Sequence, residues 1–473
     1  MIALRCAGCG RAVDDALPFA CPAAGDGRDH VLVRPGPPPG AAWPDGGEAN
    51  PFVRYRALSH AWQVARARGL DDGEVIAIVE RLDAAVAAVD GHGFAITPYR
   101  AAPALAAALG LAVPGGAWIK DETGNVAGSH KARHLFGLAV HLAVAERAGL
   151  TGAAERTRPL AIASCGNAAL AAAVVARAAG RALRVFIPPW ADAAVVARLE
   201  TLGAGLEVCP RRAGDPPGDP CHHRFRAAVA AGALPFSCQG PDNGLTLDGG
   251  MTLGFELADQ EAQLGAAPLG RLFVQVGGGA LGSAVAQALA WAAVLGRIPR
   301  RPALHAVQTA GGFPLVRGWR RVARRLAVPL GGPAPGGDAA ADRPAAAADA
   351  GCARWLAGHA DPAAIDRAIA AAAADRAGTL WPWETEPKSA ATGILDDDTY
   401  DGLAIVRAML ETGGWPVIAA EDTIDRAHRL GRATGIAASP TGTAGLAGAL
   451  ELAAGGLLDA ASRVAVLFTG VER

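Results

Sequence analysis

The sequence predicts an α/β protein built on two open, twisted parallel sheets and preceded by a small cysteine ribbon. Three observations carry that expectation. Short apolar runs bounded by turn residues alternate with helical stretches from about Pro51 to the end of the chain. The glycine-rich and small-residue segments follow apolar runs directly, where open parallel sheets place their ligands. At 473 residues the chain is also longer than a single hydrophobic core normally supports.

Taken in chain order, the amino terminus comes first. Cys6-Ala-Gly-Cys9 followed by Cys21 reads as a small ribbon whose second knuckle has lost a thiolate. Structural zinc takes four ligands, so either His30 completes a site on Cys6, Cys9 and Cys21, or the metal is gone and the ribbon shape alone persists. Residues 1–33 form this degenerate ribbon, and residues 34–50, rich in Pro and Gly, form a linker. Helical stretches follow at Ala57 to Arg68 and Asp72 to Val89, with others at Ala168 to Ala179 and Ala280 to Leu295. Strands are expected at Ala117 to Lys120, Pro159 to Ala163, Leu183 to Ile187, Leu272 to Val276, Ala303 to Gln308 and Val464 to Phe468. We assign residues 51–125 and 255–473 to a large unit and residues 126–254 to a smaller, substrate-side unit. Residues 330–350, a Pro/Gly/Ala-rich stretch, are expected to be a mobile surface excursion.

Composition narrows the partners. Lys plus Arg number 44 against 45 Asp plus Glu, so no basic field is available to steer nucleic acid or anionic lipid. Hydrophobic residues make up 51 % without any run long enough to span a bilayer. A small molecule is the expected partner. The amino terminus lacks a signal-peptide core, which points to the cytoplasm, where the eight cysteines are expected to stay unpaired.

Four motifs carry chemistry. The segment Lys120 to Asn125, continuing through Gly128-Ser129-His130-Lys131-Ala132-Arg133, sets Lys131 at a helix start after a strand. The helix dipole and Arg133 there favour a neutral, nucleophilic amine, although a lysine at a helix start is by itself ordinary surface. Ser164-Cys165-Gly166-Asn167-Ala168 lies at a strand-to-helix turn whose backbone N–H groups suit a carboxylate, and it reads equally as a helix cap. Gly277-Gly278-Gly279-Ala280-Leu281 lies between an apolar strand and a helix and has the form of an anion cup. It lacks the Gly-Lys-Ser/Thr of a nucleotide P-loop, and no acidic residue follows at the distance a dinucleotide site needs. Thr469 closes the last strand and points a hydroxyl toward the same crevice.

In this order and spacing the four motifs resemble the fold-type II pyridoxal-5'-phosphate (PLP) enzymes, which include threonine synthase, threonine and serine dehydratases, cysteine synthase and the tryptophan synthase β chain. The resemblance covers about Pro51 to the end, and the ribbon in front is similar to that of many threonine synthases. It implies that Lys131 carries PLP as a Schiff base and that Asn167 bonds the cofactor's phenolic oxygen. It also implies that Ser164, Cys165, Gly166, Asn167 and Ala168 bind the substrate carboxylate, and that Gly277, Gly278, Gly279, Ala280 and Leu281 cradle the phosphate. Thr469 then faces the pyridine nitrogen. A neutral hydroxyl there makes a weaker electron sink and favours prompt loss of a β-leaving group. The expected activity is therefore β-elimination or β-replacement on a hydroxy- or O-activated α-amino acid, in a homodimer.

The sequence also departs from that pattern. Threonine synthase proper acting on O-phosphohomoserine is the runner-up activity, put in doubt because no arginine stands in Phe236 to Thr252 to hold a substrate phosphate; His130 and Arg133 read either as substitutes or as structural residues. The stretch Trp381 to Asp401 is unusually acidic and aromatic, and reads either as a specificity loop for an amine or hydroxyl or as a solvated helix start. Glu256 reads as a helix-face residue, and Cys221-His222-His223 as a weak metal motif. A catalytically silent PLP-binding protein is the alternative from another class.

Overall fold

The computed structural model describes residues 3–112, 116–215 and 218–473. The ribbon is a three-stranded antiparallel sheet of β1 (Leu4–Cys6), β2 (Ala12–Val13) and β3 (Leu32–Val33), with β1 in the middle. The chain then lays down β4 (Tyr99–Ala101) and β5 (Ala117–Asp121) before leaving to build a separate four-stranded sheet. That sheet comprises β6 (Leu160–Ala163), β7 (Leu183–Ile187), β8 (Gly205–Val208) and β9 (Leu234–Pro235), in the order β8-β7-β6-β9 and parallel throughout. The chain returns with β10 (Arg271–Gln275), β11 (Ala303–Thr309), β12 (Val417–Ala419) and β13 (Val464–Phe468). The six-stranded sheet runs β12-β11-β10-β13-β5-β4 and is parallel except at the β4 edge.

Every strand expected from the sequence is present within a residue or so. The two-sheet α/β class holds as well. β10 and β13 are almost wholly buried, as a parallel sheet covered on both faces requires. The insertion of β13, the last strand, between β10 and β5 brings Thr469 to the centre of the sheet, next to the end of β5 that leads into Lys131.

Two expectations change. The linker is not a free tether: Trp43 is buried and donates from Nε1 to Asp259 at 2.8 Å, and Arg34 pairs with Asp248 while stacking on Trp291 at 4.3 Å. The excursion at 330–350 becomes helix from Arg343 onward, in the element Arg343–His359. Its irregular part is fastened by Arg320 to the carbonyls of Gly337 and Ala340, and by Arg321 and Arg324 to Asp338. Composition alone could not show this, because the cations that hold it lie on another helix, Pro314–Ala327.

Candidate functional site

β5 runs into a tight turn and then the helix Lys131–Arg147, whose first residue is Lys131. The turn needs a left-handed residue at Gly128 (φ +66°), where a side chain would collide with Val471. The helix start is pinned to β13: the His130 backbone N–H and ring Nδ1 both lie on the Thr469 carbonyl, at 3.1 and 3.0 Å. An isolated bridge joins Ser129 to Gly470. Among the described residues, the Lys131 ammonium makes no hydrogen bond or ion pair. It stands close enough to act electrostatically on His130 and His134 of its own helix start and on Cys238, Asp396 and Asp401. Burial, followed by that charge, holds His134 down to about 3, so it stays neutral.

β6 ends in Ser164-Cys165-Gly166, and Asn167 opens the helix Asn167–Ala178. All five residues from Ser164 to Ala168 remain partly exposed at the helix amino terminus. Arg473 fixes the Asn167 side chain by donating to its Oδ1, and Arg473 also reaches the Ala127 carbonyl at 2.5 Å. The remaining amide donor, Nδ2, lies beside Gly470, where a side chain would stand 2.8 Å away. Lys131, Asn167 and the Thr469–Gly470 step are thus one constellation.

Thr469 is 2 % exposed, and its hydroxyl accepts from Gln275 Nε2 at 2.6 Å. Gln275 closes β10 and leads into the glycine turn, so the turn and Thr469 are joined through one amide. Gly279 has φ +100° and precedes the helix Ala280–Val294, so the turn presents its backbone at a helix amino terminus.

That turn does not face open space. A side chain at Gly277 would meet Asp396 Oδ2 at 2.2 Å, and one at Gly278 would meet the Tyr400 ring at 3.0 Å. The Gly278 N–H faces the Asp396 carboxylate. Burial pushes this carboxyl up, while Lys131 and the Gly278 N–H pull it down. Asp401 returns its own backbone N–H to the Gly278 carbonyl at 2.9 Å. The acidic stretch is therefore part of the site and not a solvated helix start. Its first half does something else: Trp381 and Trp383 sandwich Arg317 at 4.2 and 4.4 Å, with Glu384 pairing the same guanidinium at 2.7 Å.

The two expected cationic substitutes are otherwise engaged. Arg133 is buried and bonds Glu122 at 2.7 Å and Glu256 at 2.5 Å, and Lys120 also pairs Glu256, at 2.6 Å. The two cations hold Glu256 below the usual carboxylate range despite its burial. Glu256 is thus the hub of a buried ion cluster rather than a plain helix-face residue, and Arg133 lends no net charge to Lys131. His130, buried and bonded to Thr469, is likewise structural.

In the ribbon, Cys6, Cys9, Cys21 and His30 converge with their ligand atoms within 4.8 Å of one another. Cys6 Sγ lies 3.4 Å from His30 Nδ1, and Cys9 Sγ lies 3.6 Å from Cys21 Sγ. Those spacings match the roughly 3.8 Å edges of a tetrahedron built on Zn–S bonds of about 2.3 Å. Asp26 holds the far ring nitrogen of His30 at 2.8 Å and so aims Nδ1 at the thiols. Burial pushes the Cys6 thiol up to about 12, while the Arg11 backbone N–H helps bring Cys9 down to about 7. No other such group occurs among the described residues. Cys221-His222-His223 does not converge: His222 pairs Asp242 at 2.9 Å while Cys221 is buried beside Cys209.

Residues 92–342, more than half of the chain, match the model of the family described as pyridoxal-phosphate dependent enzyme. The chain belongs to that family. Similar solved structures include diaminopropionate ammonia lyase from Escherichia coli, at 16 % identity over 90 % of this chain and 91 % of that one, with a TM-score of 0.56. Maize serine racemase aligns at 17 % identity over 84 % and 93 %, with a TM-score of 0.54. Threonine deaminase isoform 2 from Solanum lycopersicum aligns at 16 % over 86 % and 91 %, also with 0.54. At these identities the likeness is one of fold. No curated protein matches the sequence. Among the described residues of this PLP enzyme, no helix is long and apolar enough to cross a membrane.

Proposed function

We propose that this PLP enzyme catalyses β-elimination or β-replacement on a hydroxy- or O-activated α-amino acid, with Lys131 holding the cofactor. The observation that carries the reading is the Lys131 amine, unpartnered among the described residues, at a helix start bonded to Thr469 through His130, with Asn167 beside the adjoining Gly470. The crevice suits the cofactor, since it offers an amine for the aldehyde and a glycine turn whose Gly278 N–H favours the charged form of an acidic group, its own Asp396. Gly277, Gly278, Gly279, Ala280 and Leu281 would hold the phosphate by backbone N–H groups. Asn167 Nδ2, oriented by Arg473, would donate to the ring oxygen. Bound PLP supplies an electron sink for the substrate α-carbon.

The remaining roles belong to the chain. Thr469 presents a neutral hydroxyl whose oxygen is taken by Gln275 and whose hydrogen is free to donate, so it supplies no negative charge to keep a pyridine nitrogen protonated. That favours elimination over transamination. The partly exposed N–H groups from Ser164 to Ala168 suit the substrate carboxylate. The Lys131 amine would take the α-proton and return it. A phosphorylated substrate such as O-phosphohomoserine fits poorly, because Arg133 and His130 are committed and the side chains near Lys131 include the acidic Asp396 and Asp401 rather than a cationic clamp. Zinc on Cys6, Cys9, Cys21 and His30 is proposed as structural. All eight cysteines are free thiols, which suits the cytoplasm as the proposed setting.

The test is a panel of hydroxy- and O-acyl amino acids, with release of ammonia and 2-oxo acid measured on cofactor-loaded protein. Release from at least one substrate, abolished in Lys131→Ala, is expected. Cofactor bound at Lys131 with no turnover of any amino acid would instead identify a silent PLP-binding protein.

A further inference from the structure

The acidic stretch holds a geometry that the proposed chemistry does not use. Asp396 Oδ2 rests against the α-carbon of Gly277, where even a methyl group would be 2.2 Å away, and the Ile394 backbone closes the same spot at 2.9 Å. A carboxylate from the chain itself thus lies against the glycine turn, beside its N–H donors. Two residues on, Asp398 is gripped by Arg376, Nη2 to Oδ1 at 2.7 Å, and the same nitrogen lies 3.4 Å from the Thr399 carbonyl. Arg376 in turn is anchored in the ribbon: its Nε pairs Asp29 Oδ1 at 3.1 Å, and the Asp29 backbone N–H bonds the Ala373 carbonyl at 2.9 Å. A continuous chain of contacts therefore runs from the ribbon through Arg376 to the segment that covers the turn.

Resting on the reading that this turn receives the cofactor phosphate, we propose that Asp396 competes with that phosphate for the turn's donors, and that Arg376 is the positioning residue that holds it there. A dianion and a carboxylate cannot share one ring of N–H donors without strong repulsion. Loading then requires residues 396–398 to withdraw. Binding is weakened by the fraction of molecules in which the segment is closed. Asp401 is fixed separately, through Gly240 and Gly278, so the withdrawal is confined to the residues that Arg376 grips.

The experiment titrates full-length, cofactor-stripped protein with PLP and, in parallel, with pyridoxal, which lacks the phosphate. Hydrogen exchange is followed across residues 394–401, and borohydride reduction checks that the cofactor attaches at Lys131. Asp396→Ala and Arg376→Met are each expected to bind PLP about fivefold tighter or more, with pyridoxal affinity unchanged. The double variant should be no tighter than Asp396→Ala. Exchange should rise in Arg376→Met, and Arg376→Lys should restore both readouts. Asp398→Asn, which removes the same grip from the other side, should behave as Arg376→Met and serves if that variant folds poorly. Unchanged or weaker PLP binding in Asp396→Ala, with the Lys131 adduct intact, overturns the proposal and leaves the cofactor site standing. A gain in Asp396→Ala with none in Arg376→Met or Asp398→Asn overturns the role of Arg376. Absence of an adduct at Lys131 in the wild type removes the cofactor reading and this proposal together.

Discussion

Asp401 is buried beneath the glycine turn, and burial pushes its carboxyl from the ordinary 3.8 up to about 7, against the pull of the Gly240 N–H and Arg376. Between those two values the folded protein holds a proton that the unfolded chain has released, so this group makes stability fall as pH rises from about 4 to about 7, and level off above. Asp401→Asn removes that slope. The melting temperature of the variant relative to wild type should climb across this window and then stay constant, as scanning calorimetry at a series of pH values would show. A constant difference would mean that another group titrates. Single residues also show what a sequence can reveal of a site. Lys131, Asn167, Gly277 to Gly279 and Thr469 sit in short motifs, which is why the sequence could single them out. Gln275, Arg473 and Asp396 do not: Gln275 ends an apolar strand and reads as core, while the other two act on partners far away in the chain.

The helices Lys131–Arg147 and Thr246–Gln263 set where Lys131 stands, and they cross on a pair of glycines. A side chain on Gly249 would lie 2.3 Å from the Arg133 carbonyl, and one on Gly137 would lie 2.5 Å from the Gly249 α-carbon. Backbone is in the way, so the helices can accommodate a methyl only by moving apart. Gly249→Ala should cost about 1–3 kcal/mol in urea unfolding. The Lys131 helix would shift with it, so cofactor affinity should fall in the same variant. The sequence located six strands and a helix start at Lys131 from their apolar patterns, and set no bounds for the helix Thr246–Gln263. It missed β4, β8, β9 and β12 for physical reasons: β4 and β8 are largely uncovered at sheet edges, β9 is two residues ending in Pro235, and β12 is three residues. Such strands exist because a neighbour pairs with them, which no local pattern reports.

Across the whole molecule, the ribbon behaves as a wedge rather than an appendage. Leu4, Cys6, Cys21 and Leu32 share a core with β6, β7 and the Lys131 helix. The Phe19 carbonyl accepts from Gly244 at 2.8 Å and the Ala16 carbonyl lies 3.0 Å from His141 Nε2, while Asp29 bonds the far side of the molecule through Ala373 and Arg376. Its strands are only two or three residues long and cannot hold that shape unaided. A metal on Cys6, Cys9, Cys21 and His30 would supply the missing stability, since binding energy at such a site is folding energy. The purified protein should therefore contain close to one zinc per chain, and chelation should lower its melting temperature by at least about 2 °C. Cys9→Ser should reproduce both effects, whereas Cys352→Ser, at a buried thiol far from the ribbon sequence, should leave the metal content unchanged. Because the wedge touches both sheet units, the loss should appear as one lowered transition for the whole chain and not as a separate early melt of the first residues. A metal-free protein whose transition ignores the chelator would show that packing against Gly244, His141 and Ala373 alone maintains the ribbon.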